Sequence, residues 1–167
     1  MFITELKIGL VKPSDLAELQ KLFVDTVSAI CSKDYNGQQI AVWSASIKNT
    51  KRWHDMIENH FFIVAQIANK IVGFGTLENG SCLDMMYVHK DFQRQGIASK
   101  IYSELEKEAI RLNKITLISY VSKTARPFFE KNGFRIISKK RKILQGVEIS
   151  NYKMTKELPP DYSTTQR

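Results

Sequence analysis

Apolar and polar residues follow two rhythms along this chain, and the switches between them mark out its elements. Residues Ile3 to Lys12 alternate loosely and stop at Pro13, which predicts a first strand, because proline cannot donate to a sheet ladder. Ser14 and Asp15 stand where a helix begins. Leu16, Leu19, Leu22, Phe23, Val27 and Ile30 then recur at helical spacing, the stripe that one helix face buries. Asp34-Tyr35-Asn36-Gly37 interrupts it. Gln38 to Ile47, with Ile40 and Trp43, predicts a second, shorter helix; from there through Ile57 the pattern assigns no clear element.

The β signal is clearest in the middle of the chain. Phe61 to Ala68 is apolar and β-rich, Asn69-Lys70 reads as a turn, and Ile71 to Glu78 as a second strand of the run. Asn79-Gly80 is a strong two-residue hairpin signal, and Ser81 to Val88 completes a three-strand meander. A polar stretch follows, and the rhythm changes to helical: Ile97, Ile101, Leu105, Ala109 and Leu112 line one face. Thr116 to Val121 predicts a short buried strand, and Thr124 to Asn132 a brief helix closed at Gly133. Phe134 to Ile143 and Val147 to Leu158 form a last hairpin around Gln145-Gly146. The order β-α-α-β-β-β-α-β-α-β-β predicts an α/β chain of the mixed α+β kind, with a central mixed sheet and helices on both faces.

Length and composition narrow the reading. At 167 residues the expectation is one domain, here residues 1–158, with 159–167 a disordered tail after Pro159-Pro160. An apolar share of 43% and a charged share of 25% exclude a mostly disordered chain and a coiled coil. No apolar run approaches the ~20 residues of a membrane span, and the N-terminus lacks a signal-peptide pattern, so a soluble cytoplasmic protein with no membrane partner is expected. Cys31 and Cys82 have no CxxC spacing and read as reduced thiols. His54, His60 and His89 form no metal-ligand pattern, so no metal is expected. The net charge of +8 favours an anionic partner. Its densest run, Lys139-Lys140-Arg141-Lys142, fits either a charged strand edge or a patch for nucleic acid or an acidic ligand.

The segment from Val88 to Ser99 carries the candidate chemistry. A strand ends at Val88, a helix opens near Gly96, and small residues at Gly96 and Ala98 allow close backbone approach. The first amides of a helix point outward unpaired and carry about half a positive charge together, so this geometry makes an anion site. Arg94 adds a charge and Ser99 a hydroxyl.

Here the chain resembles the GNAT superfamily of N-acetyltransferases. Gln93-x-x-Gly96-x-Ala98, preceded by Tyr87-Val88, is similar to that family's acetyl-CoA pyrophosphate loop. Ala125 to Phe134, ending in Gly133-Phe134, is similar to its late helix. Both motifs occur in the family's order, the resemblance covers roughly Ile3 to Leu158, and Tyr35 to Trp43 resembles small bacterial members of uncharacterised substrate. The resemblance implies a single-domain acyl-CoA N-acyltransferase fold, its sheet mostly antiparallel, with acetyl-CoA as co-substrate. It further implies that backbone groups of Met86, Tyr87 and Val88 pair with the pantetheine arm. Gln93, Arg94, Gln95, Gly96, Ile97, Ala98 and Ser99 would form the pyrophosphate loop, and Ser122 and Phe128 would flank the arm. Many members carry a tyrosine where Phe129 stands, whose hydroxyl protonates the departing thiolate. Phenylalanine cannot, which leaves Tyr152, Tyr120 or Tyr87, with Tyr152 preferred from its place in the last strand.

The implied reaction is direct attack of a primary amine, on a small molecule or a protein, on the thioester. An amine of pKa about 10.4 is only about 1 part in 2,500 neutral at pH 7, a cost near 4.6 kcal/mol, so a base must take its proton. Glu78 and Asp84 are the candidate carboxylates, and a backbone N–H near Met86 or Tyr87 would polarise the carbonyl. Phe23, Tyr35, Trp43, Trp53 and His54 are candidates for the acceptor wall. The positive charge argues against a very basic acceptor such as a polyamine. The alternative is a catalytically inactive CoA-binding or nucleic-acid-associated module on the same scaffold. On the enzymatic reading no nucleic acid is expected, and a homodimer is left open.

Overall fold

Strand β1 (Lys7–Leu10) leads through a short turn into α1 (Leu16–Ile30), followed by α2 (Gly37–Ser44) and α3 (Thr50–Asn59). Then come the meander β2 (Phe61–Ile67), β3 (Lys70–Glu78) and β4 (Cys82–Val88), helix α4 (Ile97–Arg111), strand β5 (Thr116–Val121), helix α5 (Arg126–Lys131) and the hairpin β6 (Arg135–Leu144) and β7 (Val147–Glu157). These elements come from a computed structural model describing residues 5–161. The expected start of the first strand at Ile3 falls partly outside the described residues, as do positions 162–167 of the expected tail. Residues 159–161 carry neither helix nor strand. No helix among the described residues is long and apolar enough to cross a membrane.

Helix α3 is the element that the sequence pattern missed. Asn49 caps it by accepting from the Arg52 N–H at 3.1 Å, yet only Trp53 and Met56 are buried along it. Two apolar anchors among Lys51, Arg52, His54, Asp55 and Glu58 make too narrow a stripe to read from periodicity.

The strands form one seven-stranded sheet in the order β1-β2-β3-β4-β5-β7-β6, antiparallel at every junction except β4 with β5. Helices cover both faces. On one, α1 and α3 pack Leu19, Phe23 and Trp53 against Phe62 and Phe74; on the other, α4 and α5 pack Ile101, Leu105 and Phe129 against Leu117 and Met154. Each hairpin turns on two residues at positive φ: Ala68-Asn69, Asn79-Gly80 and Gln145-Gly146. Such turns match the twist of the flanking strands. The first lies one residue before the expected Asn69-Lys70, and Lys70 opens β3.

Two local features of the sheet prepare the site. Parallel pairing of β4 with β5 is confined to Cys82↔Ile118 and Leu83↔Ser119, after which the strands splay. On its other edge β4 carries a bulge: Leu77 faces Leu83 and Thr76 faces Met85, leaving Asp84 as the extra residue. The Thr76 hydroxyl accepts from the Met85 N–H at 3.0 Å and holds this kink.

Helix α4 is drawn close to the sheet because β3 offers glycines beneath it. A Cβ added at Gly75 would lie 2.7 Å from Ile101 Cγ2 and 2.9 Å from Leu105 Cδ1. Gly75→Ala is therefore expected to destabilise the fold by about 1–3 kcal/mol. The measurement is a urea unfolding midpoint, and an unchanged midpoint would refute the close approach.

Candidate active site

The splay between β4 and β5 opens into a cleft of ≈ 1270 Å³ that runs from the 93–99 loop across the sheet to the β6–β7 hairpin. Strand alternation decides what β4 presents to it. The His89 N–H donates to Val72 O at 2.8 Å, and with Val88 opposite Gly73 and Met86 opposite Gly75, the backbone groups of Met86 and Val88 turn away from β3 and into the splay. The Thr26 hydroxyl, donating to Val88 O at 3.0 Å from the cleft side, fits this direction. By the same alternation the backbone of Tyr87 faces β3, and it is the tyrosine's side chain that reaches the cleft wall.

The loop after β4 is braced from within. The Gln93 amide donates to Val88 O at 2.7 Å, so this side chain ties the loop to the strand end. Arg94 and Gly96 sit at φ values of 58° and 80°. Alternating handedness of this kind turns successive N–H groups to one side, forming an anion-binding concavity. No acceptor within the described residues meets the N–H groups of residues 94–99; the first bond of the helix is Lys100 N–H to Gly96 O at 3.1 Å. Gln93, Arg94, Gly96, Ile97, Ala98 and Ser99 line the cleft, as do Ser122 and Phe128 across the splay, while Gln95 lies outside the lining. The Ser122 hydroxyl accepts from the Ala125 N–H at 3.1 Å, leaving its own proton free to donate.

Further along β4, the bulged Asp84 lines the cleft and accepts from Arg52 Nη2 at 3.2 and 3.3 Å, one contact to each carboxylate oxygen. His60 stands behind the pair with Nδ1 4.0 Å from Asp84 Oδ2; its side chain is 7% exposed and that nitrogen has no hydrogen-bond partner. Glu78 completes the group. Ligand atoms of His60, Glu78 and Asp84 lie within 4.8 Å of one another, a set that could hold a cation, although the Arg52 guanidinium already supplies positive charge at Asp84. Of the two carboxylates expected as bases, Asp84 lines the cleft and Glu78 does not. Sequence reading set His60 aside with the other histidines and gave it no place in the site. Its spacing carries no signal, because the grouping joins the end of α3 to the far ends of two strands.

Comparison with known proteins agrees with this geometry. The acetyltransferase (GNAT) domain family matches residues 31–156. YafP, an uncharacterized N-acetyltransferase of Escherichia coli K12, is 30% identical over 144 residues, covering 86% of this chain and 90% of YafP. The chain belongs to the GNAT family of acetyltransferases. Solved structures agree on the fold of this acetyltransferase. A GCN5-related N-acetyltransferase of Rhodopseudomonas palustris superimposes with a TM-score of 0.89 at 24% identity, over 95% of this chain and 99% of the other. The PaiA N-acetyltransferase of Thermoplasma acidophilum in complex with coenzyme A reaches 0.76 at 18% identity, over 92% and 99%.

In this GNAT the hydroxyls are distributed differently from the preference for Tyr152. Tyr152 lies outside the cleft lining, on the sheet face of α4 and α5, with the Arg126 guanidinium 5.0 Å from its ring centroid. Phe129, on α5, is buried in the core. The Tyr35 hydroxyl lines the cleft but is fully engaged, donating to Ser150 O at 2.8 Å and accepting from the Lys123 N–H at 3.0 Å; burial pushes its pKa up. Tyr87, packed between Phe23 and Phe74, is pushed up further by burial. Tyr120 is different. It lies just past Ser119, the last β5 residue paired with β4, lines the cleft and is 52% exposed.

Of the aromatic residues expected at the acceptor wall, Phe23, Tyr35 and Trp43 line the cleft. Trp53 is core, and His54 is exposed away from it. The thiols of Cys31 and Cys82 are both free. Burial raises both pKa values, that of Cys82 to about 11, so neither is a ready nucleophile at neutral pH.

Proposed function

We propose that this acetyltransferase moves the acetyl group of acetyl-CoA to a primary amine of a small molecule or protein by direct attack. The observation that carries the reading is one line of free main-chain groups: the N–H groups of residues 94–99, then the Val88 N–H and the outward-facing backbone of Met86 along the splay, the Val88 carbonyl being taken by Thr26 and Gln93. The residues fit such a donor. A helix opening at α4 with free amides suits a diphosphate, and an extended amide arm suits a strand edge without a partner. The coenzyme A in the PaiA structure supports the same choice.

The thioester supplies a carbonyl carbon open to attack; its C–S bond breaks as the C–N bond forms. The chain's own residues position and move protons. Gln93, Arg94, Gly96, Ile97, Ala98 and Ser99 hold the diphosphate, with Gln95 contributing only backbone. Val88 and Met86 hold the arm, the Met86 N–H faces the carbonyl oxygen, and Ser122 and Phe128 flank the arm from the β5 side. Asp84, held by Arg52, accepts the ammonium proton, and Glu78 and His60 stand behind it. Tyr120, at the open end of the splay, supplies the proton to the departing thiolate in place of the missing hydroxyl at Phe129.

The test is release of free thiol from acetyl-CoA with a panel of amines. Turnover that disappears in Gly96→Glu supports transfer. Absence of turnover, together with steeply salt-dependent RNA or DNA binding indifferent to acetyl-CoA, would establish the inactive-module alternative. Arg94→Ala is expected to weaken acetyl-CoA binding about tenfold, the equivalent of one charge-assisted hydrogen bond, with an unchanged melting temperature because Arg94 is exposed. Calorimetry reads the affinity, and equal Kd values would remove Arg94 from the site.

A further inference from the structure

The basic run of β6 is divided by the strand's alternation; Lys140, Arg141 and Lys142 all line the cleft, but Arg141 lies beside Glu148. Tyr152 packs with Val121 on the sheet face of α4 and α5. Its cross-strand partner Lys139 shares that face, as does Arg141 two residues on, where Arg141 approaches Glu148 at 3.7 Å. Lys140 and Lys142 therefore project from the opposite face, the one that carries α1 and α3. They stand across from Asn151 and Ile149, and all four residues line the cleft.

Two more cations reach the cleft from the helical side of that same face: Lys48, just before α3, and Arg52. Arg52 is matched by Asp84. Among the described residues, no carboxylate lies within 4.0 Å of Lys48, Lys140 or Lys142. The diphosphate loop opens on the other face, with α4, so these lysines stand across the sheet from it. Protection of an exposed edge strand explains charge on either face of β6. It does not explain why Lys48, from a different element, also lines the cleft. A nucleic-acid stripe would need the run on one face, and alternation splits it.

The acceptor half of the cleft thus presents one carboxylate, Asp84, and a set of unmatched lysines. Resting on the acetyl-transfer reading above, we propose that the acceptor is an amine carrying a carboxylate or phosphate, and that Lys140 and Lys142, with Lys48, bind that anionic group. The complementarity is two-ended. The ammonium end is drawn to Asp84, where it loses its proton, and the anionic end is drawn to the lysines, which fixes the amine's direction. A polyamine would meet repulsion at the same lysines.

Matched acceptors test this. γ-Aminobutyrate is compared with butylamine, and O-phosphoethanolamine with ethanolamine, the two pairs separating carboxylate from phosphate. The anionic member of at least one pair is expected to have a kcat/KM about tenfold or more above its neutral partner. In the double variant K140A/K142A the acceptor KM rises about tenfold to a hundredfold, while the calorimetric Kd for acetyl-CoA stays unchanged. K140R/K142R retains the preference, and K140E/K142E shifts it towards 1,4-diaminobutane. The proposal is overturned by equal or better use of the neutral amines, by a preference that survives K140A/K142A, or by a rise in the Kd of acetyl-CoA that is absent with dephospho-CoA. Failure of the wild-type protein to bind acetyl-CoA removes the transfer reading and this inference together; binding without an anionic preference removes this inference alone.

Discussion

A Gly96→Glu variant is expected to lose acetyl-CoA binding by a hundredfold or more while remaining folded. Two effects act in the same direction. Gly96 sits at φ +80°, a conformation costing a non-glycine residue about 1–3 kcal/mol, so the loop shifts and its N–H groups lose their common direction. The introduced carboxylate then competes for those same donors and repels the diphosphate. Loss of two charge-assisted hydrogen bonds at about 1.5–3 kcal/mol each already exceeds a hundredfold. Nothing lies within 4 Å of a Cβ at this position, so the fold has room for the side chain. Gly96→Ala, with the strain and without the charge, should fall between the two. Calorimetry on the three proteins, with melting temperatures as the folding control, decides the matter: a Gly96→Glu protein that binds as tightly as the parent would place the cofactor elsewhere.

The second large effect is expected at Asp84. On the proposed mechanism Asp84→Asn removes the proton acceptor, and kcat/KM should fall by roughly 10²–10⁴, the usual contribution of a positioned base. Acetyl-CoA affinity should hold, because Asp84 lies outside the diphosphate loop. The pH profile separates this from a structural role. The parent enzyme takes the abundant ammonium form and deprotonates it, so its rate should depend weakly on pH around neutrality. The variant relies on the neutral amine, about 1 part in 2,500 at pH 7, so its rate should climb nearly tenfold per pH unit and approach the parent's at high pH. A deficit that is constant across pH would show that Asp84 only orients Arg52. Full activity in Asp84→Asn would transfer the base to Glu78 or to water.

Where the geometry of the candidate site depends on contiguous residues, it could be read in advance. The 93–99 loop needs only a strand end, a left-handed glycine and a helix start, all within a dozen positions, and the structure builds it there. The helix stripes from Leu16 to Ile30 and from Ile97 to Arg111 and the paired turn residues at Asn79-Gly80 and Gln145-Gly146 are local in the same sense. Helix α3 was not legible because its anchors are few. Strand order alone favours Tyr152 as the acid, yet side-chain alternation puts it beside Arg126 and outside the cleft lining.

The amino-acid order alone determined most of the rhythm of strands and helices, two of the three hairpin turns and the strand-to-helix loop at 93–99, because short-range sterics and hydrogen bonding set each of these within a few residues. Tertiary structure decided the rest. It placed Asp84 on a bulge against Arg52 and His60, held Glu78 back from the cleft, and divided one basic run between two faces of an edge strand. Those outcomes depend on strand register and on which helix lies over each face, and both are settled by packing between residues far apart in the chain.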